Sequence, residues 1–354
     1  MSSLEKMLIK MVENNASDLH LTVGSPIKMR INGQLSSIDD HKLNSDTINE
    51  LLEKYLDKSK IDKLESGNDI DFSIGISGIS RFRVNIFKQR GNLVATFRRL
   101  PHSIPDISSL NLPESVINLT EFKKGLILIT GGTGSGKSTT LASMIQAISK
   151  NKKSHIITIE DPIEYLYDHA DSIVNQREIG SDTASFSSAL KSSLRQEPDV
   201  VAIGELRDVE SMSAAITVAE TGHLVLGTIH TNSAAGTITR LVDAFPADKQ
   251  NIIRTNLSLS LIGIISQQLI PNKENGRSLA LEVMINTPSI KALIRENNIH
   301  QLNNYILGGQ KEGMVRMDDS ILSLYQNDFI TKNQALNFAI NPTDLEKRLN
   351  SQNI

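Results

Sequence analysis

Residues 131–138 read Gly-Gly-Thr-Gly-Ser-Gly-Lys-Ser. This stretch fits the pattern G-x-x-x-x-G-K-[ST], in which glycines let the backbone wrap closely around a phosphate and point several N–H groups at it. An apolar run at 126–130 leads directly into the glycines, and residues 137–149 follow with the spacing of an amphipathic helix. The start of such a helix adds the positive end of its dipole. A strand, a glycine loop and a helix in this order therefore predict a nucleoside-triphosphate site.

The pattern also assigns roles within the loop. Lys137 should reach the β- and γ-phosphates, and Ser138 should ligate Mg²⁺. The predicted nucleotide-binding set is Thr133, Gly134, Ser135, Gly136, Lys137, Ser138 and Thr139. An ordinary glycine turn is the alternative, but the complete pattern with both flanks disfavours it. We therefore predict a nucleoside triphosphate as the ligand and Mg²⁺ as its metal ion.

Downstream of the loop, short apolar segments alternate with helical ones. The apolar segments are 126–130, 156–159, 200–203 and 224–227, and the helical ones are 137–149, 185–194, 209–220 and 235–245. Strands that are apolar throughout and separated by helices indicate a parallel sheet covered on both faces. The predicted fold class is therefore α/β, with a mostly parallel sheet covered by helices.

The first hundred residues have a different pattern. Apolar spacing predicts helices at 3–14 and again at 51–64. Alternation of polar and apolar residues predicts strands at 18–23, 27–31, 81–87 and 93–98. These elements predict a small α+β domain over residues 1–100.

Three prolines separate the two patterns. Pro101, Pro105 and Pro113 fall within thirteen residues, and prolines at that density interrupt regular hydrogen bonding. We predict a linker over 101–115 and an ATPase domain with a C-terminal helical segment over 116–354. The last twenty residues are weakly patterned, and the sequence predicts no element there.

Composition narrows the function classes. A length of 354 residues suggests two domains, and 37 Lys and Arg against 40 Asp and Glu give a net charge of −3. Proteins that track a nucleic-acid backbone usually carry a positive excess, so no nucleic-acid partner is expected. The absence of cysteine excludes a disulfide framework and a Cys-ligated zinc element. These features favour a soluble intracellular protein.

Two acids follow predicted strands. Glu205 comes after 200–203 and would hold Mg²⁺ or polarise its bound water, while Glu164 comes after 156–159 and would orient the attacking water. Ligands of parallel sheets sit beyond the carboxyl ends of the strands. A single such acid is more often a helix cap or a solvated strand end. Two acids on two strands beside a phosphate loop favour catalysis.

Two histidines bracket the strand at 224–228. Seven extended residues cover roughly 23 Å, so His223 and His230 cannot both contact one phosphate through this strand. His230, at the carboxyl end, is the candidate for the γ-phosphate. His223, at the amino end, is interpreted as a structural or coupling residue.

Arginines in the N-terminal domain are further candidates. Period-two geometry places Arg81 and Arg83 on one face of their strand, and Arg98 lies on the next strand. These side chains are either a solvated sheet face or a source of positive charge for a phosphate on a neighbouring subunit. The spacing leaves both interpretations open.

Three further segments, together with the phosphate loop, resemble a known family. Residues 158–164 are similar to its aspartate box, 204–208 to its Walker B region, and 219–231 to its histidine box. The chain is identified as a member of the secretion ATPases of type II secretion and type IV pili. Segments 16–21 and 81–85 extend the resemblance across nearly the whole chain.

The resemblance implies a PAS-like N-terminal domain, a RecA-like ATPase domain and a hexameric ring that hydrolyses Mg-ATP. It implies Glu164 and Glu205 as catalytic acids and places three N-terminal arginines near the nucleotide: Arg81, Arg83 and Arg98. The partner would be the inner-membrane platform protein of a pilus. The expected location is therefore the cytoplasm, at the inner face of the cytoplasmic membrane.

In length and motifs the chain resembles the branch that retracts type IV pili in twitching motility. That branch carries a segment A-I-R-x-L-I-R-E, which here reads Ser-Ile-Lys-Ala-Leu-Ile-Arg-Glu at 289–296, with Lys291 in place of the first arginine. Gly132 stands where proline is usual, a change that the loop should tolerate. The alternatives are an accessory retraction ATPase that assists a paralogue, an extension or secretion ATPase, and an ATP-binding scaffold with little turnover. Extension ATPases are generally longer and usually carry a tetracysteine zinc element.

Overall fold

A computed structural model describes residues 3–101 and 103–351 and divides into two compact units. The N-terminal unit comprises Met1–Ser103 together with Asp161–Leu166. The ATPase unit comprises Ile104–Glu160 and Tyr167–Ile354.

A six-stranded antiparallel sheet forms the N-terminal unit, in the order β3-β2-β1-β6-β5-β4. The strands are β1 (Asp18–Leu21), β2 (Pro26–Ile31), β3 (Gln34–Lys42), β4 (Ile70–Ile76), β5 (Ser80–Gln89) and β6 (Asn92–Arg99), and the helices are α1 (Ser3–Glu13), α2 (Ser45–Leu52) and α3 (Lys58–Glu65). Alternation along β5 buries Phe82, Val84 and Ile86 in one core with Leu4 and Leu8 of α1. This is the α+β domain that the sequence predicts.

Two predictions for this unit need correction. The predicted helix at 51–64 is in fact two helices, because Asp57 accepts the Lys60 N–H at 2.9 Å and so begins α3 as a separate element. Strands β3 and β4 were not predicted. Strand β3 is almost entirely exposed, so its sequence lacks the apolar alternation that marks a half-buried strand.

The ATPase unit contains a seven-stranded sheet in the order β13-β12-β7-β11-β10-β8-β9. Its strands are β7 (Gly125–Gly131), β8 (His155–Glu160), β9 (Ile173–Glu178), β10 (Val200–Ile203), β11 (Leu224–Ile229), β12 (Leu261–Pro271) and β13 (Arg277–Ile285). Neighbours are parallel except for β13, which is antiparallel to β12. The prediction of a mostly parallel sheet is confirmed, although β9, β12 and β13 were not predicted.

Helices cover both faces of this sheet. They are α4 (Glu114–Asn118), α5 (Lys137–Asn151), α6 (Phe186–Ser193), α7 (Val209–Glu220), α8 (Ala234–Asp243), α9 (Gln250–Ser260), α10 (Pro288–Arg295), α11 (Leu302–Gly308), α12 (Met317–Gln326), α13 (Lys332–Phe338) and α14 (Pro342–Ser351). Alternate residues of β7 face opposite sides: Ile127 lies in one apolar core with Met144 of α5, whereas Leu128 lies in the other with Ala215 of α7. Strand β7 is therefore buried throughout, which fixes the base of the glycine loop.

The region predicted as a linker, 101–115, is largely part of the ATPase unit. From Ile104 onward the chain belongs to that unit, and the Ser143 hydroxyl of α5 donates to the Pro105 carbonyl at 2.8 Å. The prolines thus interrupt regular secondary structure, but the segment from Ile104 onward packs on the ATPase unit. At the other end of the unit, α14 buries Leu345 and Leu349, although the sequence predicted no element there.

In the described ranges, no helix is long and apolar enough to cross a membrane.

Candidate active site

The glycine loop connects the end of β7 to the start of α5. Gly131, Gly134 and Gly136 adopt positive φ angles of 149°, 76° and 93°. A Cβ atom on Gly131 would lie 2.3 Å from the Ser135 hydroxyl oxygen and 2.5 Å from the backbone carbonyl oxygen of Gln267. The loop therefore requires glycine at these places. Gly132 has no atom within 4 Å of its Cβ position, which is consistent with a loop that tolerates change there.

Within the loop, the side chains divide into buried and exposed groups. Lys137 is buried, and its Nζ donates to the Gly131 and Gly132 carbonyls, each at 2.9 Å. Ser135 is also buried, while Thr133, Gly134 and Ser138 are exposed. The lysine is thus held at the base of the loop, and the hydroxyl of Ser138 is open to solvent at the start of α5.

An acid and a histidine meet beyond the carboxyl ends of β10 and β11, which are adjacent parallel strands. Glu205 Oε1 lies 3.4 Å from His230 Nε2, and Glu205 Oε2 accepts a hydrogen bond of 2.7 Å from Arg207 Nε. The Leu206 N–H donates to the Thr228 carbonyl at 2.9 Å, which fixes the turn after β10 against β11. The structure therefore brings together Glu205 and His230 as the strand-end rule suggests.

Glu160 is a second acid at this edge that the sequence-based prediction of catalytic acids does not include. It is the last residue of β8, and its carboxylate accepts the Thr158 hydroxyl at 2.6 Å and the Gln176 amide at 3.1 Å. Its position at the end of a strand paired with β10 was the signal that could have identified it. Among the described residues, no group of three or more acids and histidines could hold a metal ion. A magnesium ion held mainly by substrate phosphates needs no such group.

Glu164 lies elsewhere: the segment Asp161–Leu166 belongs to the N-terminal unit. There it acts electrostatically on Arg83. The hydrogen bonds from Arg83 to Asp71 raise the pKa of the guanidinium, burial opposes this, and the charges of Glu164 and Asp161 raise it further. The structure therefore groups Glu164 with the N-terminal arginines.

Arg83 and Arg98 lie directly opposite each other on β5 and β6. Opposed like charges destabilise a sheet unless they are compensated. Here Arg83 Nε donates to Asp71 at 3.1 Å, and Arg98 Nε donates to Asp18 at 3.0 Å. Arg81 donates to the Ser73 hydroxyl. Local partners thus order this face of the sheet.

Asp18 shows how strongly this face is charged. Burial would raise the pKa of its carboxyl, but hydrogen bonds from Ser17 and Arg98 and the Arg98 charge outweigh burial and lower it. Arg98 nevertheless keeps 69% of its side chain exposed. The guanidinium is therefore ordered and accessible at once.

His223 has a local role. Its Nδ1 lies 3.1 Å from the Val218 carbonyl oxygen and 3.2 Å from the Thr221 hydroxyl, across the turn that joins α7 to β11. This contact favours the structural interpretation of His223.

Comparison with known proteins extends these observations. The model of the type II/IV secretion system protein family matches residues 1–320. The chain belongs to this family. It is 41% identical to the type IV pilus retraction ATPase PilT of Pseudomonas aeruginosa over 332 residues, covering 94% of this chain and 96% of the relative. It is also 41% identical to the type IV pilus ATPase PilU of the same organism over 342 residues, covering 96% and 90%.

Among solved structures, the fold resembles a crystal structure of the pilus retraction motor PilT with bound ADP. The TM-score is 0.90 at 45% identity, over 98% of this chain and 99% of that one. The likeness spans both units and the glycine loop. This chain is accordingly an ATPase with the secretion-ATPase fold.

Proposed function

We propose that this chain is the ATP-hydrolysing motor of type IV pilus retraction, the process that drives twitching motility. The observation that carries the proposal is the full-length structural likeness to a retraction motor, at a TM-score of 0.90. The Glu205–His230 pair supports it, because an ATP-binding scaffold without turnover needs the phosphate loop but no acid held at the neighbouring strand ends.

In this proposal ATP is bound by 133–139, whose backbone N–H groups and helix start favour the phosphates. Lys137 exchanges its two loop carbonyls for the β- and γ-phosphates. Ser138 and Glu205 would hold Mg²⁺, which neutralises phosphate charge when bound. The buried hydroxyl of Ser135 and the exposed hydroxyl of Ser138 suit a site that takes up a polar ligand.

Hydrolysis then requires a positioned water and added positive charge. Glu164 orients the water, and His230, close to Glu205, contacts the γ-phosphate. Arg81, Arg83 and Arg98 supply charge to a nucleotide on a neighbouring subunit, as arginines do in trans in other ATPases. Such delivery requires an assembly, and we propose a hexameric ring.

The ring would act on the inner-membrane platform protein of the pilus. It would lie in the cytoplasm, at the inner face of the cytoplasmic membrane. No nucleic-acid partner is proposed, because the net charge of −3 gives the chain no positive excess.

A second candidate is an accessory retraction ATPase that works with a paralogous motor. The chain is 41% identical both to PilU, over 90% of that relative, and to PilT, over 96% of that relative, so sequence identity does not separate the two candidates. The two candidates share the site and differ in whether the chain retracts pili by itself.

Deletion of the gene distinguishes these functions. Loss of a retraction motor should leave surface pili to accumulate, whereas loss of an extension motor should abolish them. Loss of an accessory ATPase should leave the paralogous motor working, so pili should accumulate only when the paralogue is also impaired.

Complementation links the phenotype to the loop. Lys137→Ala removes the loop's fixed cation, so it should reduce ATP turnover by at least a hundredfold and fail to restore retraction. Lys150→Ala, on the exposed last turn of the same helix, is the matched control and should restore both. Normal turnover in Lys137→Ala would overturn the phosphate-loop assignment.

A further inference from the structure

Strand β12 runs beside β7 and ends next to the phosphate loop. Ser266 pairs with Thr130, and Gln267 pairs with Gly131, the first loop glycine. Because side chains alternate along a strand, these two residues face opposite sides of the sheet. The Thr130 hydroxyl donates to Ser266 Oγ at 2.9 Å on one side, and Gln267 Nε2 donates to Thr140 Oγ1 of α5 at 2.8 Å on the other. Strand β12 therefore holds both the strand before the loop and the helix after it.

Gln267 is 1% exposed, so its amide must be satisfied within the protein. Its Nε2 is satisfied by Thr140, but its Oε1 has no hydrogen-bond partner among the described residues. The Ser135 hydroxyl is likewise buried without a partner in the described ranges. One atom is an acceptor and the other can donate, and each unpaired buried group costs free energy.

Both residues also flank the same glycine. The Ser135 hydroxyl oxygen and the backbone carbonyl oxygen of Gln267 lie 2.3 Å and 2.5 Å from the position that a Cβ atom on Gly131 would take. A small movement of the loop at Gly131 therefore changes the position of Ser135 relative to Gln267.

We propose that Gln267 is a positioning residue for the phosphate loop. Its amide nitrogen holds the first turns of α5 through Thr140, and its Oε1 accepts the Ser135 hydroxyl when the loop binds the phosphates of a nucleoside di- or triphosphate. Gln267 acts through the loop and does not itself contact the nucleotide. This inference rests on the phosphate-loop site proposed above.

The test is a double-mutant cycle in the full-length chain. Gln267→Met keeps the length of the side chain and removes its amide, while Ser135→Ala keeps the loop backbone. Each variant should bind ADP and a non-hydrolysable ATP analogue about tenfold more weakly, the worth of one buried hydrogen bond in an equilibrium constant. KM for ATP should rise with the dissociation constant, and kcat should change less. The double variant should be little weaker than either single one, because the two side chains form one interaction.

Gln268→Met is the matched control. Gln268 is the next residue on β12, so its side chain faces the other side of the sheet, and it is only partly buried. Nucleotide affinity in this variant should stay within twofold of the parent.

Stability is measured separately, by thermal unfolding without nucleotide. In Gln267→Met the Thr140 hydroxyl loses its hydrogen bond from Gln267. Adding Thr140→Val removes that hydroxyl, so the double variant should regain the parent's unfolding temperature but not its nucleotide affinity. Recovery of both would show that Gln267 only packs against α5 and would overturn the inference, as would parental nucleotide affinity in Gln267→Met.

Additive losses of affinity in the double-mutant cycle would overturn the pairing of Gln267 with Ser135. If Lys137→Ala binds nucleotide normally, the proposed site itself fails, whereas failure of Gln267→Met alone leaves that site intact.

Discussion

Glu205 is the residue on which the proposed chemistry depends most directly. It lies at the end of β10, with His230 on one oxygen and Arg207 on the other. These contacts hold the carboxylate in one orientation, and 21% of its side chain remains exposed to the space beyond the sheet. A carboxylate that is both ordered and accessible suits a metal-ligand or general-base role.

We expect Glu205→Gln to slow ATP hydrolysis by about a hundredfold or more while nucleotide binding changes only a few-fold. The amide keeps the shape of the side chain but cannot take a proton or balance the charge of Mg²⁺. Phosphate release and nucleotide titration measure the two effects. Glu210→Gln, an exposed acid on α7, is the control. Hydrolysis at the parent rate in Glu205→Gln would show that this acid follows the strand end without taking part in hydrolysis.

Glu282 is a buried acid outside the proposed chemistry. It is 6% exposed on β13, and its Oε1 accepts the Ala234 N–H at the start of α8 at 2.6 Å. Burial raises the pKa of this carboxyl, the bond from Ala234 opposes the rise, and the charge of Asp318 adds to it. The folded state therefore holds this proton more tightly than the unfolded state does.

This sign predicts a pH dependence of stability. As pH rises from the ordinary carboxyl value of 4.5 through the raised pKa, ionisation of Glu282 should lower the free energy of unfolding of the parent. Glu282→Gln keeps an acceptor for Ala234 and cannot ionise, so it should be more stable than the parent at neutral pH and equal to it below about pH 4. Urea unfolding across this range measures the difference. The prediction would be contradicted if the difference in the free energy of unfolding between Glu282→Gln and the parent were equal at all pH values. It would also be contradicted if the exposed variant Glu274→Gln showed the same difference.

At the scale of elements, β7 determines where the loop lies. The strand begins at Gly125, whose φ is 115° and whose N–H donates to the His223 carbonyl at 2.9 Å. A Cβ atom there would lie 2.7 Å from the Ser260 carbonyl oxygen and 2.7 Å from a side-chain carbon of Ile262. Glycine is thus required where β7 passes close to the end of α9.

Gly125→Ala should cost about 3 kcal/mol or more of stability, because the unfavourable φ and the contact with backbone add together. Gly180→Ala is the matched control: its φ is 86°, but no atom lies within 4 Å of the added Cβ. That variant should lose only about 1–2 kcal/mol. Chemical denaturation of both variants measures the difference, and equal losses would show that the strand entry can shift at little cost.

At the scale of the whole molecule, the phosphate loop belongs to one unit, and Glu164 belongs to the other with the three arginines. The three arginines each contact a side chain within the N-terminal unit, and Glu205 contacts His230 within the ATPase unit. The proposal that arginines act in trans therefore makes activity a property of the assembly.

Turnover per chain should rise steeply with protein concentration as rings form. Arg83→Ala should lower turnover by at least tenfold even when assembled, because the transition-state charge loses its partner. Arg99→Ala is a control on β6, where Arg99 contacts Asn15. Mixed rings of Lys137→Ala and Arg83→Ala subunits should recover part of the activity. Full specific activity in a demonstrably monomeric sample would show that these arginines form a solvated sheet face and do not act on a neighbouring subunit.

Local signals in the sequence determined much of this protein. The glycine loop specifies its own backbone, because positive φ angles at Gly131, Gly134 and Gly136 demand glycine. Apolar runs specified the central strands, and the strand-end rule predicted that Glu205 and His230 lie at the same edge of the sheet. Each of these features depends on neighbours in the chain, so one sequence suffices to predict it.

Tertiary structure alone decided the rest. Strands β9, β12 and β13 lie at or near the sheet edges, and only the folded sheet shows which strands they pair with. The same holds for Gln267, whose strand partner Gly131 and hydrogen-bond partner Thr140 lie more than 120 positions earlier in the chain. Glu164 follows a central strand in sequence but belongs to the N-terminal unit. Long-range packing creates these relations, and no local pattern carries them.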